Sequence, residues 1–339
     1  MSTFLFRSVT AGLLALTAFG LGSGSVVSAA ELTTLRYGTN NEQNINRLPQ
    51  VIAERKGFFT REGLNVEFVT LPAPGPTVRE ALENNSIDMA RQQLALLIHD
   101  RITGAVTSVA VGLAVSNGVY FLVARPEIES FADLKGRTVA VTLPHDGITL
   151  WARELLELHG LKNNERSFYN EDVETLRVGG SAGRLACLQS GECDAVPLNW
   201  PVAFEALDAG YHILGITNEI GPLFYYVDIA NPSWAASHRD LVEKYLRATT
   251  AAMRFIQDPN NSDEVVAVMM DYMGQPENST RQMLSYILDP QNRVLPQQTE
   301  IDMDNVRETI SLMAEYGVLA QPMPEHFVDT SIAVEASGQ

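Results

Sequence analysis

Cysteine is nearly absent: 339 residues hold two, Cys187 and Cys193. There is no cysteine cluster, and a C-x5-C pair with no histidine close by does not fit a zinc site. No metal is expected. Positive charge is also scarce, with 24 Lys and Arg against 41 Asp and Glu and a net charge of −17. Nucleic acid and anionic membranes need a basic footprint, so neither is expected as a partner. Low-complexity tracts are missing, and no apolar run reaches the about 20 residues of a spanning helix. Paired carboxylates, an H-E-x-x-H helix and a cysteine–histidine pair are not evident either. What remains is the composition of an ordinary globular chain, 45% hydrophobic, long enough for one large or two medium domains.

Residues 1–30 read as an export signal. Arg7 is their single charge, Thr10 to Leu21 is apolar but too short to span a bilayer, and Ser28-Ala29-Ala30 sets small residues at the −3 and −1 positions. Cleavage is expected before Glu31; the competing reading is a buried first helix. The segment contains no cysteine, which argues against a lipid anchor. Its loss removes Arg7 and takes the net charge from −17 to −18. An exported chain meets an oxidising compartment, where Cys187 and Cys193 form either a disulfide or two buried thiols.

Two phrases 106 positions apart echo one another, Leu82-Glu-Asn-Asn-Ser-Ile-Asp88 and Leu188-Gln-Ser-Gly-Glu-Cys-Asp194. Each reads as a helix end, a left-handed cap at Asn85 or Gly191, and the entry to a strand. In that register Cys187 and Cys193 take the inward places of Ala81 and Ile87. Strand and helix alternate through two α/β units, which predicts parallel-rich sheets. Expected strands include 35–39, 66–71, 87–90, 106–115, 120–124, 138–142, 173–178, 194–198 and 222–229. His212 is placed on a short segment after Gly210. From Ser237 the chain is largely helical and is expected to return to the first unit. The reading is an α/β, bilobed fold: residues 31–120 and 223–339 form lobe I, 121–222 form lobe II, and the helical tail packs on lobe I. Crossings fall near 117–124 and 216–222. Neither is rich in Gly or Ser, so a two-strand hinge is expected.

Specific phrases carry a resemblance. Leu35-Arg-Tyr-Gly and Ala53-Glu-Arg-Lys-Gly-Phe-Phe59-x-x-Glu62-Gly-Leu-x-Val66 resemble the opening of periplasmic solute-binding proteins of the nitrate/sulfonate/taurine and thiamine-pyrimidine-precursor (SsuA/THI5-like) group. Phe131-x-Asp133-Leu-Lys-Gly-Arg137 is similar to that group's entry into its second lobe, and the echo to its paired helix-to-strand turns. The resemblance runs from about Leu35 to about Ile256; the tail carries no motif of it. It implies a type II (Venus-flytrap) periplasmic-binding-protein fold, ligand capture in the cleft, no cofactor, and delivery to an ABC permease. Lacking a Walker motif, the chain would depend on a separate ATPase. A monomer is expected. Asn85 departs from the group's usual glycine. Residues 40–46 and 198–200 match no ligand subclass.

In open α/β sheets ligands sit beyond the carboxyl ends of the strands. This names Asn40, Asn41, Asn44, Gly75, Thr77, Arg91 and Gln92 in the first lobe, and His145, Asp146, Thr149, Gly180, Ser181, Asn199 and Trp200 in the second. Arg91 suits bidentate grip of a carboxylate or sulfonate; the other reading is a surface arginine paired with Asp88 or Asp100. Trp200 suits stacking on a planar ring, or packing at the hinge. Trp151 reads as core. His145-Asp146 reads as ligand contact or polar turn, and at most one of Tyr225 and Tyr226 faces the cleft. The expected solute is small and anionic or planar aromatic: a sulfonate, aromatic carboxylate or pyrimidine. Two enzyme readings compete. Gly179-Gly-Ser181-Ala-Gly183 matches a nucleophile elbow between strand and helix, with Asp194 or Asp208 and His212 following in hydrolase order. A pyrimidine-precursor synthase of the same group would carry a cysteine-rich iron motif, which this chain lacks.

Overall fold

The computed structural model describes residues 31–40, 44–71, 76–162, 172–220, 226–319 and 327–337. The expected export signal, Asn41, Gly75 and Tyr225 lie outside the described residues; of Asn40 and Thr77 only the backbone is described.

The first run comprises β1 (Thr33–Asn40), α1 (Leu48–Arg55), α2 (Phe58–Arg61), β2 (Leu64–Leu71), α3 (Pro76–Glu83), β3 (Met89–Gln93), α4 (Leu94–Ile102) and β4 (Val109–Val115). The second comprises β5 (Tyr120–Ala124), β6 (Thr138–Val141), α5 (Gly147–Leu158), β7 (Glu174–Arg177), α6 (Ser181–Ser190), β8 (Ala195–Asn199), α7 (Val202–Asp208) and β9 (His212–Ile216). Strand β10 (Tyr226–Ala230) follows, then α8 (Pro232–Ser237), α9 (Arg239–Gln257), α10 (Ser262–Met273), α11 (Glu277–Leu288), α12 (Met303–Glu315) and α13 (Thr330–Ser337).

These strands form two five-stranded sheets, ordered β2-β1-β3-β10-β4 and β7-β6-β8-β5-β9. In each, four strands run in one direction and the fourth in order runs against them, antiparallel to both neighbours. That fourth strand is β10 in one sheet and β5 in the other, each the first strand after a crossing. The sheets therefore share one plan, and the fold is bilobed. Strand β9 was not anticipated: His212–Ile216 pairs antiparallel with β5, so His212 stands on a sheet edge. Five mostly half-buried residues, with Gly215 the one that is buried, leave little alternation to read.

The echo has a physical basis. Asn85 (φ 58°) and Gly191 (φ 81°) both adopt the left-handed conformation that ends α3 and α6. Past each cap the N–H of Ile87 or Cys193 donates to the carbonyl of Ala81 or Cys187, at 3.2 Å in both cases. Asp88 and Asp194 then bracket the neighbouring strand. Their own N–H groups donate to Arg36 O and Thr138 O (2.8 Å each), and their carboxylates accept from Arg36 N (2.7 Å) and Thr138 N (2.9 Å). Cys187 and Cys193 are joined in a disulfide, with Cα atoms 5.4 Å apart.

Helices α9 and α10 pack on α1, α13 on α9 and β4, and α12 on α4, so the tail covers the first sheet. The two crossings hold each other: the Thr217 hydroxyl accepts from Tyr120 N (3.2 Å) and donates to Tyr120 O (3.3 Å). Among the described residues no helix is long and apolar enough to cross a membrane.

Candidate ligand-binding site

Strand β3 runs further than its composition suggests. Pairing with β10 carries it to Gln93, so Arg91 and Gln92 are strand residues and not loop residues, and they face opposite sides of the sheet. Gln92 is buried beneath α4, where its amide donates to Asp100 (3.2 Å), which removes it from the ligand set. Arg91 shares a face with Gln93 and with Tyr226 and Asp228 of β10. Its Nη1 donates to the Asn46 carbonyl (2.7 Å), and its guanidinium carbon lies 4.2 Å from the centre of the Tyr226 ring. Neither expected acidic partner is used: Asp88 pairs with Arg36 (2.6 Å), and Asp100 accepts from Gln92. Asn44 is buried. Its side chain accepts from Asn46 N (2.9 Å), and this fixes the turn that presents the Asn46 carbonyl.

Behind Arg91 lies a buried polar cluster that sequence reading missed. The Tyr37 and Tyr245 hydroxyls both donate to Asp228, the latter at 3.5 Å, and Gln50 donates to the Tyr245 hydroxyl (2.7 Å). The two tyrosine rings stack at 5.2 Å. Burial pushes the Asp228 carboxyl up to about 7, against the pull of the Tyr37 hydroxyl and the Arg91 charge. No local motif signals the cluster, since its members come from four separate elements.

On the second lobe Asp146 caps α5 by accepting from Ile148 N (2.8 Å), and burial raises its carboxyl above the ordinary value. Thr149 is buried and accepts from Thr142 N (3.0 Å), bracing the end of β6. The first N–H of α5, on Gly147, donates across the lobes to Gln93 Oε1 (2.8 Å), and Gln93 also bonds the Asp146 carboxyl. Gln93 was not among the expected residues; its place at the last position of β3 is set by the register with β10. His145 stacks on His99 of α4, with ring centres 3.6 Å apart. Burial, then the neighbouring His99, lowers the His145 ring to about 4.

Gly180 (φ 67°) turns the chain into α6. Ser181 is buried there, its hydroxyl accepting from Asn199 N (3.3 Å) and from Arg184 Nη2 (3.2 Å). Asn199 is the last residue of β8. Trp200 is 0% exposed and packs edge-to-face with Phe204, so it is a core side chain with no face to offer a ligand ring. Trp151 is also buried. It borders a cavity of about 20 Å³ with Gln93, Asn117, Tyr120, Thr217 and Thr309, room for roughly one water and too little for an organic solute.

The hydrolase order does not assemble. Ser181 is held by Arg184 and Asn199, Asp194 receives Thr138 N, and His212 Nε2 donates to the Ile128 carbonyl (2.6 Å). Among the described residues no group of three or more His, Cys, Asp or Glu side chains is placed to hold a metal.

The sequence model of the family described as NMT1/THI5 like matches residues 44–262. The Bacillus subtilis (strain 168) protein YtlA, described as a binding protein, is 26% identical over 230 residues. That match covers 66% of this chain and 66% of YtlA, just under two thirds of its length. The fold is shared with the periplasmic nitrate-binding protein NrtA from Synechocystis PCC 6803, at 16% identity and a TM-score of 0.74, covering 92% of this chain and 90% of that one. It is likewise shared with the periplasmic aliphatic sulphonate binding protein SsuA from Escherichia coli, at 21% identity and a TM-score of 0.65, covering 86% and 89%.

Proposed function

Because the chain belongs to the NMT1/THI5-like family, we propose that it is a periplasmic solute receptor of an ABC importer, and that its solute is a small organic anion, a sulfonate or carboxylate. The observation that carries the reading is Arg91, held at the carboxyl end of a parallel strand between the Asn46 carbonyl and the Tyr226 ring. A guanidinium braced on two sides keeps donors for a planar or tetrahedral anion at little further entropic cost. The structural neighbours NrtA, a nitrate-binding protein, and SsuA, an aliphatic sulphonate binding protein, agree with an anion. Burial of Trp200 removes the main support for a ring-stacking solute.

The receptor is exported and cleaved before Glu31, and acts as a monomer with a permease and a separate ATPase. The two crossings serve as the hinge, and the solute acts by favouring the arrangement in which the lobes touch.

The test is a thermal-shift screen of residues 31–339 against ethanesulfonate, benzenesulfonate, benzoate and nitrate, with uracil as an uncharged comparison. At least one anion should raise the melting temperature. By calorimetry Arg91→Ala should lose about 1.5–3 kcal/mol of that binding, roughly 10- to 150-fold. Failure of every anion, or unchanged affinity in Arg91→Ala, would overturn the reading. Hydrolysis of a simple ester that vanishes in Ser181→Ala would point to the enzyme alternative.

A further inference from the structure

Arg91 shares its side of the sheet with a carboxylate. Asp228 stands directly across the antiparallel ladder from it and is 1% exposed. The groups that face Asp228 can be named element by element: the Tyr37 hydroxyl from β1, Arg91 from β3 and the Tyr245 hydroxyl from α9. On its other flank β4 presents Gly112, which has no side chain. Gln50 of α1 lies behind Tyr245 and carries no charge. Arg91 is therefore the one positive charge that acts on Asp228 among these groups. Its guanidinium is turned toward the Asn46 carbonyl and the Tyr226 ring, on the cleft side.

An anion seated on Arg91 competes with Asp228 for the same positive charge. In a low-dielectric setting two anions cannot share one cation cheaply. We propose that Asp228 is the counter-charge of the cleft arginine, and that capture of an anion at Arg91 is coupled to uptake of a proton by Asp228. The site then gains an anion and a proton together, whereas a neutral solute binds without proton exchange. This rests on Arg91 being a ligand contact, as proposed above. The buried carboxyl titrates near 7 with the Arg91 charge holding it down, so weakening that hold moves it upward through the neutral range.

The sign follows from linkage. Above about pH 7 the free protein holds Asp228 ionised, binding must bring in the proton, and anion affinity falls with rising pH. The limit is about tenfold per pH unit for one coupled proton. Calorimetry at about pH 7.5, in buffers of different ionisation enthalpy, reads the uptake directly, with ethanesulfonate and benzoate as anions and uracil as the neutral comparison. Carboxyl-carbon NMR follows Asp228 in ligand-free wild type and in Arg91→Gln.

The expected result is a fraction of one proton taken up per anion and none with uracil. Asp228→Asn should bind the anions without proton uptake and with a flat pH profile, and Arg91→Gln should raise the Asp228 midpoint. Anion binding with no proton exchange would overturn the coupling while leaving the receptor reading intact. So would uptake that survives in Asp228→Asn. An Asp228 midpoint indifferent to Arg91→Gln overturns it without any ligand, and that arm holds even where Asp228→Asn fails to fold. If no anion of the thermal-shift screen binds, both the coupling and the Arg91 reading fall, while the NMR arm still reports whether the two charges interact.

Discussion

Asp88 and Asp194 show how much one side chain can do for a strand. Each carboxylate takes a backbone N–H from the first half of a parallel neighbour, while the aspartate's own N–H returns to the same residue's carbonyl. The result is a closed ring of two bonds at the point where a helix has just ended and sheet pairing begins. Asp194→Ala should leave Thr138 N without its partner and cost about 1–3 kcal/mol, read as a lower urea midpoint at unchanged slope. Asp194→Asn keeps an acceptor and should recover most of the loss. The turn that carries these aspartates was legible because the cap, the aspartate and the strand are neighbours in sequence; their bonds to the next strand were not. Asp228 was not, because its meaning depends on Tyr37, Arg91 and Tyr245, which lie far from it along the chain. The same holds for Trp200: its sequence neighbours place it beyond a strand end, and only its seating against Phe204 decides that it faces inward.

Helix α5 has two apolar faces. Ile148, Trp151, Ala152, Leu155 and Leu156 join the core of the second sheet, whereas Leu150 is buried with residues of the first. Its N-terminus is held from across the cleft by Gln93. Free helix N-termini attract anions, but this one already has a carboxamide oxygen where an anion's oxygen would otherwise sit. The contacts favour the arrangement in which the lobes touch. Gln93→Ala removes two bonds between the lobes, to Gly147 N and to the Asp146 carboxyl, about 2 kcal/mol or roughly thirtyfold in the ratio of touching to parted lobes. Small-angle scattering of the ligand-free variant should give a larger radius of gyration than wild type; an identical radius would show that Gln93 does not hold the lobes. Sequence reading placed Arg91 and Gln92 in a loop because Arg-Gln-Gln has little strand propensity. The pairing of Gln92 with Val227 and Gln93 with Tyr226 overrides that preference, and β10 is remote in sequence.

The two lobes also meet through the stacked rings of His99 and His145. The His145 ring is lowered to about 4, first by burial and then by His99; Arg177 adds to the effect and Asp100 opposes it. A ring whose value is lower when the lobes touch than the ordinary 6.5 favours contact only while neutral. The contribution is complete above about pH 6.5 and is lost as pH falls through 4, because the parted or unfolded states take the proton first. Scattering between these limits should show the wild type expanding as pH falls, and His145→Phe, which keeps the stack without the charge, should expand less. Equal expansion in both would assign the change to other groups.

By itself the sequence determined the parts whose causes are local. The helix caps at Asn85 and Gly191 follow from backbone sterics, the alternation of strand and helix from hydrophobic period, and two units of one plan from the echo those caps create. Length and composition bounded the class. The tertiary structure alone decided which side of a strand each polar residue faces. It set Gln92 under α4 and Arg91 on the opposite side against the Asn46 carbonyl, buried Trp200, brought Gln93 onto α5, and placed a carboxylate beside the arginine. Those outcomes depend on register between segments far apart in the chain, and a one-residue change of register exchanges the two faces of a strand. Local propensity holds no information about that choice.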